Sequence, residues 1–342
     1  MLIDWVTVRI PFEHLSDDAR EACRLLGDRI SRYCPKTGDI RYESSAWDSV
    51  RSDSHQISCR VGALDFWIQG SPARVTGDGD AVFGSGASAR LDLKACVDSM
   101  RLFIQSQTGI QLPSDISLWK VSRVDVTGNL LLDSLTEVKD SLKILRDCEG
   151  GRYRVSQQAG DTVYWSHKSK LRSGKAYAKG PHLTYVMKQK NYSGFEYSPE
   201  DIELASRLLR LELTLGREFF ARNDWKTCDL DTLTTQWNDY FTRMIGDSEM
   251  TNDSDVKTRI HAAALTEGRG KSAYGCWLLI QSEGWERAQE SFQKATWYRH
   301  LKVLRTAGLG DADISAGKVV PLRRRVFEAR QISTWNDLRL VA

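Results

Sequence analysis

Two regimes of apolar spacing divide the chain. Up to about residue 220, stretches of period two alternate with stretches of helical period. Val6, Val8 and Ile10 alternate with Trp5, Thr7 and Arg9, which predicts a strand over 2–12. Residues 17–33 place Cys23, Leu25, Leu26 and Ile30 on one helical face, and 56–70 read as paired strands. The Gly-, Ser- and Asp-rich stretch 70–89 is expected to be loop. Residues 91–108 and 135–148 have helical spacing, and 118–132 has strand spacing. Three short strand-like pieces follow at 153–157, 162–166 and 174–179, then a short helix at 199–207 and a strictly alternating strand at 208–215. Beyond 225 the pattern is helical at 230–245, 256–266, 273–282 and 296–307, with a last strand signal at 318–327. The pattern predicts an α+β fold: an antiparallel-sheet domain over 1–222, then a mainly α-helical C-terminal domain over 223–342.

Composition narrows the reading only a little. The 342 residues are 41% hydrophobic and 27% charged, enough to build cores, and the net charge is +3. A nucleic-acid partner would therefore have to be met by clustered cations, not by bulk charge. No apolar run approaches the length of a membrane span. The first twelve residues carry Asp4 and Arg9 within their apolar stretch, which fits a folded strand better than a leader. Seven cysteines, an odd number with no close pair, predict reduced thiols and no thiolate zinc site, as in a cytoplasmic protein.

Candidate chemistry is concentrated in three strands. Alternation puts Arg123, Asp125 and Thr127 on one face, with Val124 and Val126 on the other. Arg210, Glu212 and Thr214 repeat this against Leu209, Leu211, Leu213 and Leu215; Lys175, Tyr177 and Lys179 do so against Ala176 and Ala178. Such a face suits phosphodiester chemistry. Two carboxylates can hold a hard divalent cation, cations stabilise a charged transition state, and a tyrosine hydroxyl with a pKa lowered by those cations can attack phosphorus. A solvated sheet face with cross-strand ion pairs would give the same alternation in any one strand.

The same stretches carry a resemblance. MLIDWVTVRIPF at the start, SPARVTGDGDAVFG at 71–84, VSRVDVT at 121–127, TVYW and KAYAK within 162–179, RLLRLEL at 207–213 and VVPLRR at 319–324 follow one another in order. Together they resemble the gene II replication initiators of filamentous bacteriophages. The resemblance implies a rolling-circle endonuclease that nicks the plus-strand origin, becomes joined through tyrosine to the 5′ phosphate, and later rejoins the displaced strand. It implies Tyr177 as nucleophile, with Lys175 and Lys179 assisting. It also implies Asp125 and Glu212 as ligands of Mg²⁺ or Mn²⁺, with His182 as the best third ligand. His167 is a weaker candidate, since no His-hydrophobe-His triplet is present. The implied partners are phage origin DNA, both supercoiled and single-stranded, and the host helicase, DNA polymerase and single-strand binding protein, in the bacterial cytoplasm.

DNA contacts are expected from Arg74 in the 71–74 loop, from Arg123 and Arg210, and from the basic, tyrosine-rich stretch that includes Lys168, Lys170 and Arg172. In the C-terminal part, Arg299, Lys302 and Arg305 can face a groove as in a helix-turn-helix, or simply form the polar side of a packing helix. An internal start at Met250, as in gene X of that family, would give a 93-residue C-terminal product. Other readings remain at this point. One is a non-catalytic origin-binding regulator; others are a transposase or relaxase using the same tyrosine chemistry, and a nuclease that hydrolyses with water.

Overall fold

The computed structural model describes residues 1–26, 29–51, 56–76, 79–84, 92–146, 155, 162–189, 192, 194–245, 253–317 and 330–341. β1 (Leu2–Pro11) leads to α1 (Asp17–Arg24), β2 (Arg29–Tyr33), β3 (Ile40–Ser45), β4 (Asp48–Arg51), β5 (Gln56–Val61) and β6 (Asp65–Gly70). Then come α2 (Pro72–Thr76), α3 (Leu93–Thr108), β7 (Lys120–Leu131), α4 (Leu135–Arg146), β8 (Thr162–Trp165) and β9 (Arg172–Ala178). These are followed by α5 (Lys179–Met187), α6 (Pro199–Ser206), β10 (Leu208–Leu215) and α7 (Arg217–Phe220). The rest is α8 (Leu230–Ile245), α9 (Asp253–Ala263), α10 (Glu267–Glu283), α11 (Trp285–Glu290), α12 (Lys294–Thr306), α13 (Asp311–Ala316), β11 (Gln331–Ile332) and a last helix, Trp335–Val341.

The fold is α+β, as expected. Among the described residues nine strands form one sheet in the order β4-β5-β6-β1-β7-β10-β9-β8, with β11 also on β7, and every pairing is antiparallel. β2 and β3 make a separate two-stranded ribbon. One face of the large sheet is apolar because β7 and β10 alternate: Val124, Val126, Leu209, Leu211, Leu213 and Leu215 are buried there with α3, α4 and α8. The other face carries the polar set.

Several expected elements change shape. The helix at 17–33 ends at Arg24, capped at its start by the Ser16 side chain; Ile30 lies instead in the exposed ribbon, so its helical spacing was coincidental. The stretch 70–89 contains a helix, α2, because Pro72 can occupy a first helical turn. Lys179 opens α5 and does not extend β9. Of 153–157 only the bridge from Val155 to Trp165 is described, and 318–327 and Met250 lie outside the described residues.

The expected division after residue 222 does not follow the packing. α8 lies on the apolar face of the sheet, with Trp237, Tyr240, Phe241 and Met244 buried in the sheet's own core. The Trp237 indole donates to the Leu211 carbonyl at 3.1 Å. Gly174 lets α8 approach: a Cβ there would come within 2.7 Å of the Tyr240 ring. A second core, built on Trp277, Trp297, Leu301 and Leu304, belongs to α9–α13. The chain then returns to the sheet. β11 pairs with Asn129 and Leu130 of β7, and Leu338 is buried in a third cluster with Val82, Phe83, Tyr197 and Leu208.

Candidate active site

Strand register assembles the site. β10 lies between β7 and β9, so opposed residues form rows across the polar face. Tyr177, Arg210 and Asn129 form one row; Lys175, Glu212 and Thr127 the next; Ser173, Thr214 and Asp125 the third. The period of two that put the leucines of β10 into the core put these groups together on the opposite side.

Glu212 is the centre of this arrangement. The Tyr177 hydroxyl donates to Glu212 Oε1. Lys175 Nζ is 2.5 Å from Oε2, and Arg210 Nε is 3.4 Å from Oε1, an ion pair without hydrogen-bond alignment. Arg210 is wholly buried and reaches Asp4 at 3.2 Å and the Thr127 hydroxyl at 3.1 Å. The buried Lys179 ammonium lies 5.9 Å from the Tyr177 ring centre, and Lys175 Nζ 5.4 Å. The His182 ring packs against Tyr177 at 4.7 Å between centroids.

The electrostatics reverse one expectation. The Tyr177 pKa is raised well above the ordinary tyrosine value, first by burial and then by the Glu212 carboxylate; Arg210 offsets only part of this. The phenol therefore needs a proton acceptor, and it already has one in contact. Burial works against the Lys175 ammonium, but Glu212 outweighs it and holds its pKa above the usual lysine value. His182 keeps one side in solvent, yet packing on the other side and the Lys179, Arg210 and Lys175 cations push its pKa down to about 3.

Asp125 is held apart from this cluster. Arg123 grips it with two hydrogen bonds of 2.9 and 2.7 Å, and Thr214 donates to it at 2.8 Å. Both carboxylates expected to bind a divalent cation thus already have cationic and hydroxyl partners. Among the described residues no group of three possible ligands converges on one point. The donor set of Asp125, Glu212 and His182, as arranged here, does not fit a divalent cation.

A groove of about 870 Å³ opens along the same face from the third row onward. Thr214 and Ser173 form its inner end, two residues along their strands from Glu212 and Lys175, or about 7 Å. Arg9, Lys120, Arg123, Lys170 and Arg217 line it together with Trp67 and His167. Lys120, Lys170 and Arg217 are exposed, while Arg9 stacks over the Trp67 ring at 5.2 Å and pairs with Asp65 at 2.6 Å.

The phage family described as the N-terminal part of a replication-associated protein, the product of gene II, matches residues 2–239. The chain belongs to this family. Its matched span ends inside α8, in keeping with the packing of that helix on the sheet. A curated relative, the replication-associated protein of Enterobacteria phage I2-2, is 26% identical over 364 aligned positions, covering 97% of this chain and 95% of the relative. Among solved structures, a rolling circle replication initiator protein from Geobacillus stearothermophilus aligns with a TM-score of 0.28 at 11% identity, covering 64% of this chain and 75% of that one.

In this member of the replication-associated protein family the sequence-derived residues divide cleanly. Tyr177, Lys175, Lys179, His182, Arg210 and Glu212 come together, and Asp125 with Arg123 stands one row away. Lys170 reaches the groove, and Lys168 is exposed in the same loop. Arg172 does not reach it. Its parity on β9 points it to the apolar face, where it pairs with Asp239 at 3.1 Å and stacks over Tyr240 at 5.9 Å. Arg210, expected to contact DNA, is buried as an internal counter-charge. Arg299 is exposed on α12 in the separate helical cluster, where it donates to Thr296 at 2.9 Å, and Arg305 pairs with Asp311 at 2.7 Å. The Arg74 side chain lies outside the described residues. Asp4, Asp80, Lys120 and Arg217 were missed: the Asp4 partner Arg210 is on a distant strand, Asp80 accepts from Tyr197 as well as from its own turn, and Lys120 and Arg217 are brought together only along the groove. No helix among the described residues is long and apolar enough to cross a membrane.

Proposed function

We propose that this chain nicks one DNA strand at a replication origin through Tyr177 and begins rolling-circle replication. The observation that carries the reading is the hydrogen bond from the buried Tyr177 hydroxyl to Glu212, a carboxylate itself held by Lys175 and Arg210. This is a nucleophile, its base and the groups that orient the base. A strand lying in the basic groove brings a phosphate to the third row, next to Lys175, whose side chain stays one-third exposed.

As the Tyr177 oxygen bonds to phosphorus, its proton passes to Glu212. The bond from phosphorus to the 3′ oxygen breaks, and that oxygen takes up a proton to become the priming hydroxyl. Lys175 offsets charge on the phosphoryl oxygens. One phosphodiester is exchanged for another, so the reverse attack by a 3′ hydroxyl rejoins the strand. Mg²⁺ or Mn²⁺ enters this reading only through the family resemblance, and no step is routed through the ion.

Covalent capture tests the reading. The protein is incubated with Mg²⁺ or Mn²⁺ and supercoiled DNA of the replicon that encodes it, then resolved on a denaturing gel. The expected result is a nick with protein joined to the 5′ end, both lost in Tyr177→Phe. An adduct that survives the substitution moves the nucleophile elsewhere. Origin binding with neither nick nor adduct favours a non-catalytic regulator.

A further inference from the structure

Arg210 is held from outside the sheet as well as within it. Its Nη1 donates to the backbone carbonyls of Ala81 and Val82 at 2.9 and 3.1 Å. Asn129 also donates to the Val82 carbonyl, at 3.1 Å. These carbonyls belong to the turn 80–84, the Asp-Ala-Val-Phe-Gly run whose family resemblance the nicking chemistry leaves unused.

The turn is wound around one buried carboxylate. Asp80 accepts from the amides of Val82 and Phe83 at 2.9 and 3.2 Å, from the Tyr197 hydroxyl at 2.8 Å and from the Trp335 indole at 3.0 Å. The Tyr197 hydroxyl in turn accepts the Ala81 amide at 2.6 Å. Gly84 closes the turn with φ of +61°, and a Cβ there would meet Leu2 at 2.8 Å and Ala73 at 2.9 Å, so the turn has little room to shift.

Trp335 comes from the other end of the chain. β11 pairs with β7, the Leu131 amide donates to the Arg330 carbonyl at 2.9 Å, and Arg339 pairs with Asp201 at 2.8 Å. Phe83 and Tyr197 pack on the Trp335 ring with centroids 5.2 and 6.0 Å away.

We propose that residues 331–341 are a latch that sets the active site, with Trp335, Tyr197 and Asp80 as positioning residues acting through the 80–84 turn on Arg210. The inference rests on the nicking reading above. With the turn fixed, the guanidinium spends two donor contacts on Ala81 and Val82 and leaves Glu212 aligned on Tyr177. With the turn released, those donors turn to the carboxylates within reach, Asp4 and Glu212, and the added pull on Glu212 draws it off the phenol. The groove begins at the third row, on the side of Glu212 away from the turn, so its cations are untouched.

The test uses the full-length protein. Trp335→Phe keeps an aromatic ring against Phe83 and Tyr197 and deletes only the indole donor; Asp80→Asn removes the charge. Three quantities are measured: adduct formation in single turnover at saturating supercoiled DNA, affinity for that DNA, and amide exchange of the peptide covering 79–84. The expected result for Trp335→Phe is a fall in adduct rate of about tenfold, affinity within about twofold, and faster exchange at Val82 and Phe83. In an Arg210→Lys background, Trp335→Phe is expected to lower the rate no further. An unchanged rate, or a rate and affinity that fall together, overturns the latch. Should Asp80→Asn fail to fold, Trp335→Phe carries the result alone. Absence of any adduct with the unaltered protein overturns the nicking reading itself, and is told apart because it appears before any substitution.

Discussion

Tyr177 is a phenol kept neutral, and Tyr197 is another. Burial raises both pKa values first, and Glu212 and Asp80 respectively raise them further. The sign of the consequence follows from proton counts. Above about pH 10 an unfolded tyrosine has lost its proton while the folded one keeps it, so the unfolded state binds fewer protons and stability falls as pH rises. The stability these two groups contribute is therefore complete below about pH 10 and lost above it. Urea denaturation at pH 8 and pH 10.5 checks this, with Tyr197→Phe expected to show a shallower alkaline loss. The chemistry has a matching prediction. With so little free phenolate near neutral pH, removal of the proposed base should be costly: Glu212→Gln is expected to lower adduct formation by about 10²- to 10⁴-fold with DNA affinity retained. Equal losses in rate and affinity would show Glu212 to be a structural counter-ion only.

Among the elements, β10 was the easiest to read. Its leucines against Arg210, Glu212 and Thr214 disclose both faces of a central strand from eight residues of sequence. What those charged groups face was not legible, because alternation reports the side of a strand and says nothing about the neighbour across it. Asp125 and Glu212 were read as metal ligands; Asp125 is gripped instead by Arg123 two positions away on its own strand, and Glu212 by Lys175 across the sheet. Arg172 shows the same limit, its parity being visible but overruled by the basic residues around it. The groove separates the two kinds of cation. Lys120→Ala and Lys170→Ala should weaken binding of a fluorescent oligothymidylate and reduce the salt slope by about 0.7 per residue, whereas Arg172→Ala should lower stability and leave the slope unchanged. α8 carries its own prediction. Trp237→Ala should cost about 3–5 kcal/mol by denaturant melt, and a fragment ending at residue 222 should lose cooperativity, since the part of the leucine face that α8 covers would be bare.

Across the whole molecule, a change from mixed strands and helices to helices alone was visible in the sequence, but it does not coincide with a boundary between cores. The sheet takes α8 from the helical part and takes β11 and the last helix from beyond a second core. The contact of Trp335 with Asp80 spans 255 positions, so it cannot form before Trp335 itself has been made. On the ribosome the delay is physical. Apart from β11, the residues of the sheet and α8 have all been made by residue 245, and Trp335 follows about 90 residues later, roughly 5–20 s at ordinary rates of synthesis. With the latch as proposed, a half-made chain already has its tyrosine, its base and its groove but not the brace that aligns them. A stalled or truncated product would then bind DNA without cutting it, and the first cut in a genome would wait for a message read past Trp335.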